Sequence, residues 1–329
     1  MGWYESISYL MARFVPTDIV DRVAYMLKYA GMHMDPRIWI GSTFLFSLLV
    51  GAIVFLIAWL LARIIDFVFL FELGFSAILL TLVVFYLLLY FRIEDRRKRA
   101  EKYLPDALQM IAANIRAGMT PVVALRHSAR PEFGPLEEEI KVATTRALGT
   151  ESFTEAFMDI GERIRSEVLL RIISLFTTSM RAGGNLPSLL ENTADEILEA
   201  QQLKRELIAG TNMYIMFILF TIVLGMPLLL SISIQFVGMV EELHGSGGTN
   251  MFSGELGISF APPVSAAFIE QISIVTLVIT AMFASMLMGV IHEGSELYGL
   301  RYFPLYSILA LIAFYVIKLY VLPVLVTPI

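Results

Sequence analysis

The sequence predicts an all-α, polytopic membrane protein with about five transmembrane helices and a six-helix bundle inserted between the second and third. Three observations carry this. The chain of 329 residues is 57% apolar and only 16% charged, unlike a soluble domain. Its apolar residues gather in uninterrupted runs of membrane length. One stretch, residues 92–212, is instead polar and helix-patterned, and it holds 17 of the 24 Lys and Arg and 18 of the 30 Asp and Glu.

Composition removes several function classes at once. There is no cysteine, hence no disulfide, thiolate metal site or cysteine nucleophile. A net charge of −6 gives no basic surplus that would point to nucleic acid. The first apolar run begins only near Ile40, so no cleavable signal peptide is expected and the first span directs insertion.

Residues 1–39 form an N-terminal amphipathic segment. Pro16 and Thr17 open a helix that Gly31 closes, with Ile19, Val20, Val23, Leu27 and Ala30 on one face. This suits a helix at the membrane surface or packed on its neighbours; a plain soluble lead-in helix is the other reading. Residues 40–91 form a transmembrane hairpin. Ile40–Ala62 is the first span, Arg63–Asp66 a tight polar turn, and Phe67–Phe91 the second span, with Glu72 near its start. Residues 213–329 form a C-terminal membrane domain. Its spans are Met213–Val240, which tolerates Gly225 and Pro227, then Gln271–Ile291 and Phe303–Val326.

Charge asymmetry orients these spans. The loop 241–270 contains no Lys or Arg, whereas Arg92, Arg96, Arg97, Lys98, Arg99 and Lys102 crowd the exit of the second span. Residues 92–212 are therefore expected to be cytoplasmic and the loop 241–270 external. The N-terminus, with Arg13, Arg22, Lys28 and Arg37, falls on the cytoplasmic side of the cell membrane, and the C-terminus outside.

Within 92–212, three apolar stripes repeat at helical spacing: Leu104, Leu108, Ile111, Ile115; Phe153, Phe157, Ile160, Ile164; and Leu169, Ile172, Phe176, Met180. Breakers cut six helices. The first runs from the second span to about Ala117 and stops at Gly118. Thr120 caps the second, with Pro121 in its first turn. Pro131–Pro135 interrupts the chain, and Leu136–Leu148 is the third, with Glu137, Glu138 and Glu139 at the positive end of its dipole. Gly149 stops it, Ser152 starts the fourth, and Ser166 starts the fifth, which ends at Gly183 and Gly184. Asn185 caps the sixth, which continues into the third span.

The first and last of these helices are stalks, each reaching roughly 35–40 Å from the bilayer at about 1.5 Å per residue. The turns 118–120, 149–151 and 183–185 then share the distal end. Two are near copies: Arg116-Ala117-Gly118 with Thr120 and Pro121, and Arg181-Ala182-Gly183 with Asn185 and Pro187. Generic helix-joining chemistry explains such an echo. A docking surface explains it too, because both turns bring an arginine to the same end.

Catalytic signatures are missing. No G-x-x-x-x-G-K-[ST] loop occurs, so no nucleotide hydrolysis through a P-loop is expected. His33, His127, His244 and His292 are scattered, and His292-Glu293 lacks a second zinc-binding histidine. No nucleophile has an arranged base, and no cofactor site is expected. Gly245–Gly248 reads as flexible loop. The spans hold almost no ionisable group, against a transporter pathway. Lys318 is the exception, near the outer end of the last span, where it is expected to snorkel to the headgroups. Gln235, Met282, Met286 and Met288 read as packing.

Two strings go further. Leu104-Pro105-Asp106-Ala107-Leu108 followed by Asn114-Ile115-Arg116-Ala117-Gly118-Met119-Thr120-Pro121 resembles the start of the cytoplasmic F domain of type II secretion and type IV pilus platform proteins. Gly149, Glu155-Ala156-Phe157, Met180-Arg181-Ala182-Gly183-Gly184-Asn185-Leu186-Pro187 and Leu190-Glu191-Asn192-Thr193-Ala194-Asp195 resemble its second half. The Tad-type and archaeal branch is the most similar, over roughly residues 25–240. The resemblance implies a non-enzymatic inner platform on which pilin-like filament subunits assemble, coupled to a separate cytoplasmic hexameric ATPase. Many archaeal members carry two copies of the domain. One copy here implies a homodimer or pairing with a sister platform subunit. The expected ATPase-docking tip is Arg116, Met119, Thr120, Arg181, Gly184 and Asn185. A permease or channel with a cytoplasmic regulatory domain is the alternative reading, and a signalling scaffold a third.

Overall fold

The computed structural model describes residues 15–32, 34–61, 67–148, 153–245 and 265–321. The expected turns at Arg63–Asp66 and 149–151, His33, most of the loop 241–270 and the end of the last span lie outside the described residues. Among the described residues the chain is helical and contains no strand. Five helices are long and apolar enough to cross a membrane, as the sequence predicts. The chain forms two compact units, Met1–Gln201 and Gln202–Ile329.

The first unit opens with α1 (Thr17–Tyr29), which follows Pro16 and ends at Gly31 in the left-handed region. Its Leu27, with Ala30 just beyond, is buried against Leu89 and Ile93, with Val23, Met26 and Trp39 packed around them. Fully burying a leucine is worth about 2 kcal/mol. α1 is therefore a packed helix. The membrane hairpin is α2 (Pro36–Leu61) and α3 (Phe67–Arg116). α3 runs 50 residues without interruption from apolar span into polar bundle.

The bundle continues with α4 (Pro121–Ser128), a 3-10 turn at Pro131–Phe133, α5 (Pro135–Ala147), α6 (Phe153–Ile164), α7 (Glu167–Ala182) and the start of α8 (Leu186–Phe220). The three stripes read from the sequence converge on one core. Leu104, Leu108, Ile111, Phe157, Ile160, Ile164, Leu169, Ile172 and Phe176 are all buried, and Ile115 and Met180 pack on their edge. Phe157 and Phe176 meet with ring centroids 4.9 Å apart.

Polar rungs fix how α3 and α8 face each other. Arg116 pairs with Glu191, Gln109 Nε2 lies 3.4 Å from Asp195 Oδ1, and Gln201 Nε2 donates to the Glu101 carbonyl at 3.1 Å. Residue numbers rise on one helix as they fall on the other, so the two run antiparallel. The last rung has a specific cause. Pro105 sits inside α3 and has no N–H for the carbonyl of Glu101, four residues back. Gln201 supplies the missing donor.

In the second unit α8 passes through a π-helical turn, Thr221–Gly225, into α9 (Met226–Gly245). Met226 N–H reaches the Thr221 carbonyl five residues back, immediately before Pro227. The wider turn re-registers the backbone where proline removes a donor. α10 (Ala266–Glu293), the short α11 (Glu296–Gly299) and α12 (Phe303–Val316) complete the unit, followed by a second π-helical turn at Ile317–Val321. Ser273, Leu277, Ala281, Ser285 and Gly289 form a buried line along α10, and Leu277 and Ala281 pack in one core with Tyr306, Ala310 and Phe314 of α12. Small residues permit this approach. A Cβ on Gly289 would sit 2.3 Å from Gly299 Cα, and one on Gly299 would sit 2.2 Å from the Ser285 carbonyl oxygen.

Lys318 corrects one expectation. Its ammonium pairs with the Glu270 carboxylate instead of only reaching for headgroups. The sequence places Glu270 at the end of a loop. Ser265 caps α10, its hydroxyl accepting from Phe268 N–H, so the helix starts earlier and carries Glu270.

Candidate functional site

The two echoing turns close with the same backbone geometry. α3 ends at Arg116, and Gly118 takes a φ of +92° while its N–H bonds the Ile115 carbonyl at 2.9 Å. Met119 N–H then reaches back to the Asn114 carbonyl at 3.1 Å. α7 ends at Ala182, Gly183 takes φ +68°, and Gly184 N–H reaches the Ser179 carbonyl at 3.1 Å. Only glycine adopts these left-handed positions without strain, which fixes the stop of each helix. At Gly184 a Cβ would lie 3.0 Å from Ser179 Oγ, so the chain passes close there.

The residues expected at the tip divide by what they touch. Arg116 is spoken for, because its guanidinium pairs with Glu191 one turn and a half into α8. That pair draws the first turn to the third. Arg181 is exposed and has no partner among the described residues. Met119 is exposed, and Asn185 accepts from Ser188 N–H through Oδ1 at 3.4 Å, the capping role read from the sequence. Thr120 departs from its expectation. It holds the N-cap position with extended backbone and Pro121 opens α4 as expected, yet its hydroxyl makes no capping bond. Behind the turn, Asn114 Nδ2 donates to Ser128 Oγ at 3.0 Å, tying α4 to α3.

The opposite end of the bundle carries the feature that sequence reasoning missed. Arg96 Nη2 lies 2.8 Å from Glu139 Oε1, and Arg163 Nη1 lies 3.6 Å from the other carboxylate oxygen. The side chains of Arg96 and Glu139 are each only 10% exposed, so this pair works in a low dielectric. Arg96 also donates to the carbonyls of Tyr29 and Arg163, at 3.3 and 3.4 Å. One guanidinium thus joins α1, α3, α5 and α6. Glu139 is therefore a buried partner and not merely a dipole charge. Its place between Leu136, Ile140 and Ala143, all buried, is the signal that could have found it.

Beside this junction lies a cleft of about 530 Å³ lined by residues of α1, α3, α6 and α7. Arg165, in its wall, is the one non-glycine described residue with positive φ (54°), and its guanidinium stands 5.9 Å from the Tyr29 ring centroid. The cleft balances Lys28, Arg97 and Arg165 against Glu94, Glu162 and Glu167. Such walls offer no single-signed field for a phosphorylated ligand. Among the described residues, no group of three or more His, Asp or Glu could hold a metal ion.

An all-α membrane chain bearing an antiparallel bundle on an extended span is the class these observations define. Residues 107–234 match the family model of type II secretion system protein F, the family whose domain the motifs resemble. A curated relative, an uncharacterised protein of Methanocaldococcus jannaschii, is 22% identical over 227 residues, which is 68% of this chain and 34% of the relative. The match thus spans about a third of that relative, which is about twice as long as this chain. No solved structure matches the chain.

Proposed function

We propose that this protein is the platform of a filament machine of the type IV pilus and type II secretion kind, coupling a separate cytoplasmic hexameric ATPase to the assembly of pilin-like subunits. The observation that carries the reading is the family match over 107–234, which takes in both echoing turns and reaches past Phe220, the end of α8. The charge asymmetry of the loops puts the bundle in the cytoplasm, within reach of such an ATPase. Docking falls to the end bearing Arg116, Met119, Thr120, Arg181, Gly184 and Asn185, where Arg181 offers an exposed cation with no partner among the described residues. α3 and α8 are stiff, unbroken helices, suited to carry displacement between tip and membrane. The spans then meet the apolar tails of the filament subunits. A single copy of the domain is completed by a second platform subunit, identical or related.

Reversing charge at Arg116 and Arg181 together tests the docking surface. The expected result is loss of both filament assembly and ATPase co-purification. Arg181→Glu alone breaks no contact among the described residues and is expected to weaken both, while lowering the thermal midpoint only by the small loss of a favourable charge in the last turn of α7. Normal filaments and normal ATPase recovery in both variants would refute docking at this end.

A further inference from the structure

The cleft beside Arg96 is walled entirely by residues of the first unit, and its place along α3 matches one layer of a membrane. Tyr90 and Arg97 both line it and lie about 10 Å apart along the helix axis. Between them falls the change from apolar span to polar bundle, at Phe91 and Arg92. The headgroup layer is roughly 5–7 Å deep on each side of the hydrocarbon. The cleft therefore lies at headgroup level. Tyr25, Tyr29 and Tyr90 stand around it, rings of the kind enriched at that boundary. Its volume of about 530 Å³ is that of a small-ligand site.

The charges in its walls are of two kinds. Glu94 and Arg97 neutralise each other through a direct pair. Lys28, Arg165, Glu162 and Glu167 are exposed and make no ion pair among the described residues. Lys28 and Glu167 suit the helix ends that carry them, a cation in the last turn of α1 and an acid in the first turn of α7. The other two do not. Glu162 lies in the last turn of α6, where a carboxylate opposes the helix dipole. Arg165 holds a left-handed φ that favours glycine, with its guanidinium over the Tyr29 ring. Two residues of opposite sign, each kept against its local preference, thus line the same cleft. Strain of this sort gathers where a ligand is held. The mixture of signs selects that ligand. A purely anionic group gains from Lys28 and Arg165 but loses to Glu162 and Glu167, whereas a zwitterion satisfies both pairs.

We propose that the cleft binds the headgroup of a zwitterionic phospholipid bearing a phosphodiester and a primary ammonium. Lys28 and Arg165 hold the phosphate, and Glu162 and Glu167 hold the ammonium. The level of the cleft, at the end of the second span, favours a lipid over a soluble phosphodiester. The site does not depend on the platform reading, since any machine built on this chain would carry it.

Native mass spectrometry of the full chain, released from nanodiscs of phosphatidylethanolamine and phosphatidylglycerol in equal amounts, tests the site. The parent chain is expected to retain phosphatidylethanolamine several-fold over phosphatidylglycerol. Lys28→Gln with Arg165→Gln should lower that retention several-fold. Glu162→Gln with Glu167→Gln leaves two unopposed cations, so the preference should reverse toward phosphatidylglycerol, which a merely structural role for the acids does not produce. Arg126→Gln, exposed on α4 and outside the cleft walls, should behave as the parent does. Equal retention of the two lipids by the parent chain would overturn the proposal, as would an unchanged preference once both acids are neutralised. Soluble glycerophosphoethanolamine at matching concentration should leave the retained lipid in place. Its displacement would overturn the lipid assignment and give the cleft to a soluble zwitterion. All substituted side chains are exposed, and thermal midpoints close to the parent's confirm the fold.

Discussion

Pro105 stands where a long helix should break, and what prevents the break is a side chain 96 residues away in sequence. Gln201 donates to the carbonyl that Pro105 leaves without a partner. Gln201→Leu should therefore lower stability by about 1 kcal/mol, the cost of orphaning a half-buried acceptor. A tryptophan-fluorescence melt of the detergent-solubilised protein would read it as a lower midpoint. Glu139 sets a sharper test. Glu139→Leu leaves the nearly buried Arg96 with only the exposed Glu138 at 3.6 Å and two backbone carbonyls, and should cost about 3–5 kcal/mol, whereas Arg96→Met with Glu139→Leu should recover part of that loss. A double variant no better than the single one would mean the pair does not act as a unit. Neither contact is legible in the sequence. Each depends on how helices separated by dozens of residues are rotated about their axes, and local periodicity is silent on that.

Helix by helix, the legible part is the part set by local chemistry. Gly118, Pro121, Pro131 and Gly183 each act through their own backbone, and the helix ends fall beside them. Ser166 starts its helix as expected, its hydroxyl accepting from Leu169 N–H. Where a second effect competes, the reading slips. Thr120 holds the N-cap position without a hydroxyl capping bond, and Ser265 extends α10 far enough to bring Glu270 to Lys318. The π-helical turn before Pro227 was likewise out of reach, since proline alone does not say how the backbone will re-register. Close packing of α10 on α11 makes its own prediction. Gly299→Ala sets a methyl 2.2 Å from the Ser285 carbonyl oxygen, so the elements must part, at about 1–3 kcal/mol. The same melt checks it, and Tyr298→Phe, which adds no volume, should shift the midpoint less. Of the candidate tip, the two turns and their cations were visible in sequence, but the Arg116–Glu191 pair that neutralises one of them was not.

For the whole molecule, membrane topology is joined to a transfer of work. Topology is testable by itself in the cysteine-free chain. A membrane-impermeant maleimide should label Thr249→Cys in cells with an intact membrane, and Arg130→Cys only once the membrane is opened. Labelling in the reverse order would put the bundle outside, away from any cytoplasmic ATPase. The family match supports a platform, and the long α3 supports a stiff link from span to bundle end. The most direct measurement is affinity capture of the full chain from native membranes in mild detergent, followed by identification of what is retained. A secretion-type hexameric ATPase is expected to be retained by the parent chain and lost when Arg116 and Arg181 are both changed to Glu. Recovery of the parent chain with no such ATPase, or equal retention by the charge-reversed chain, would contradict it.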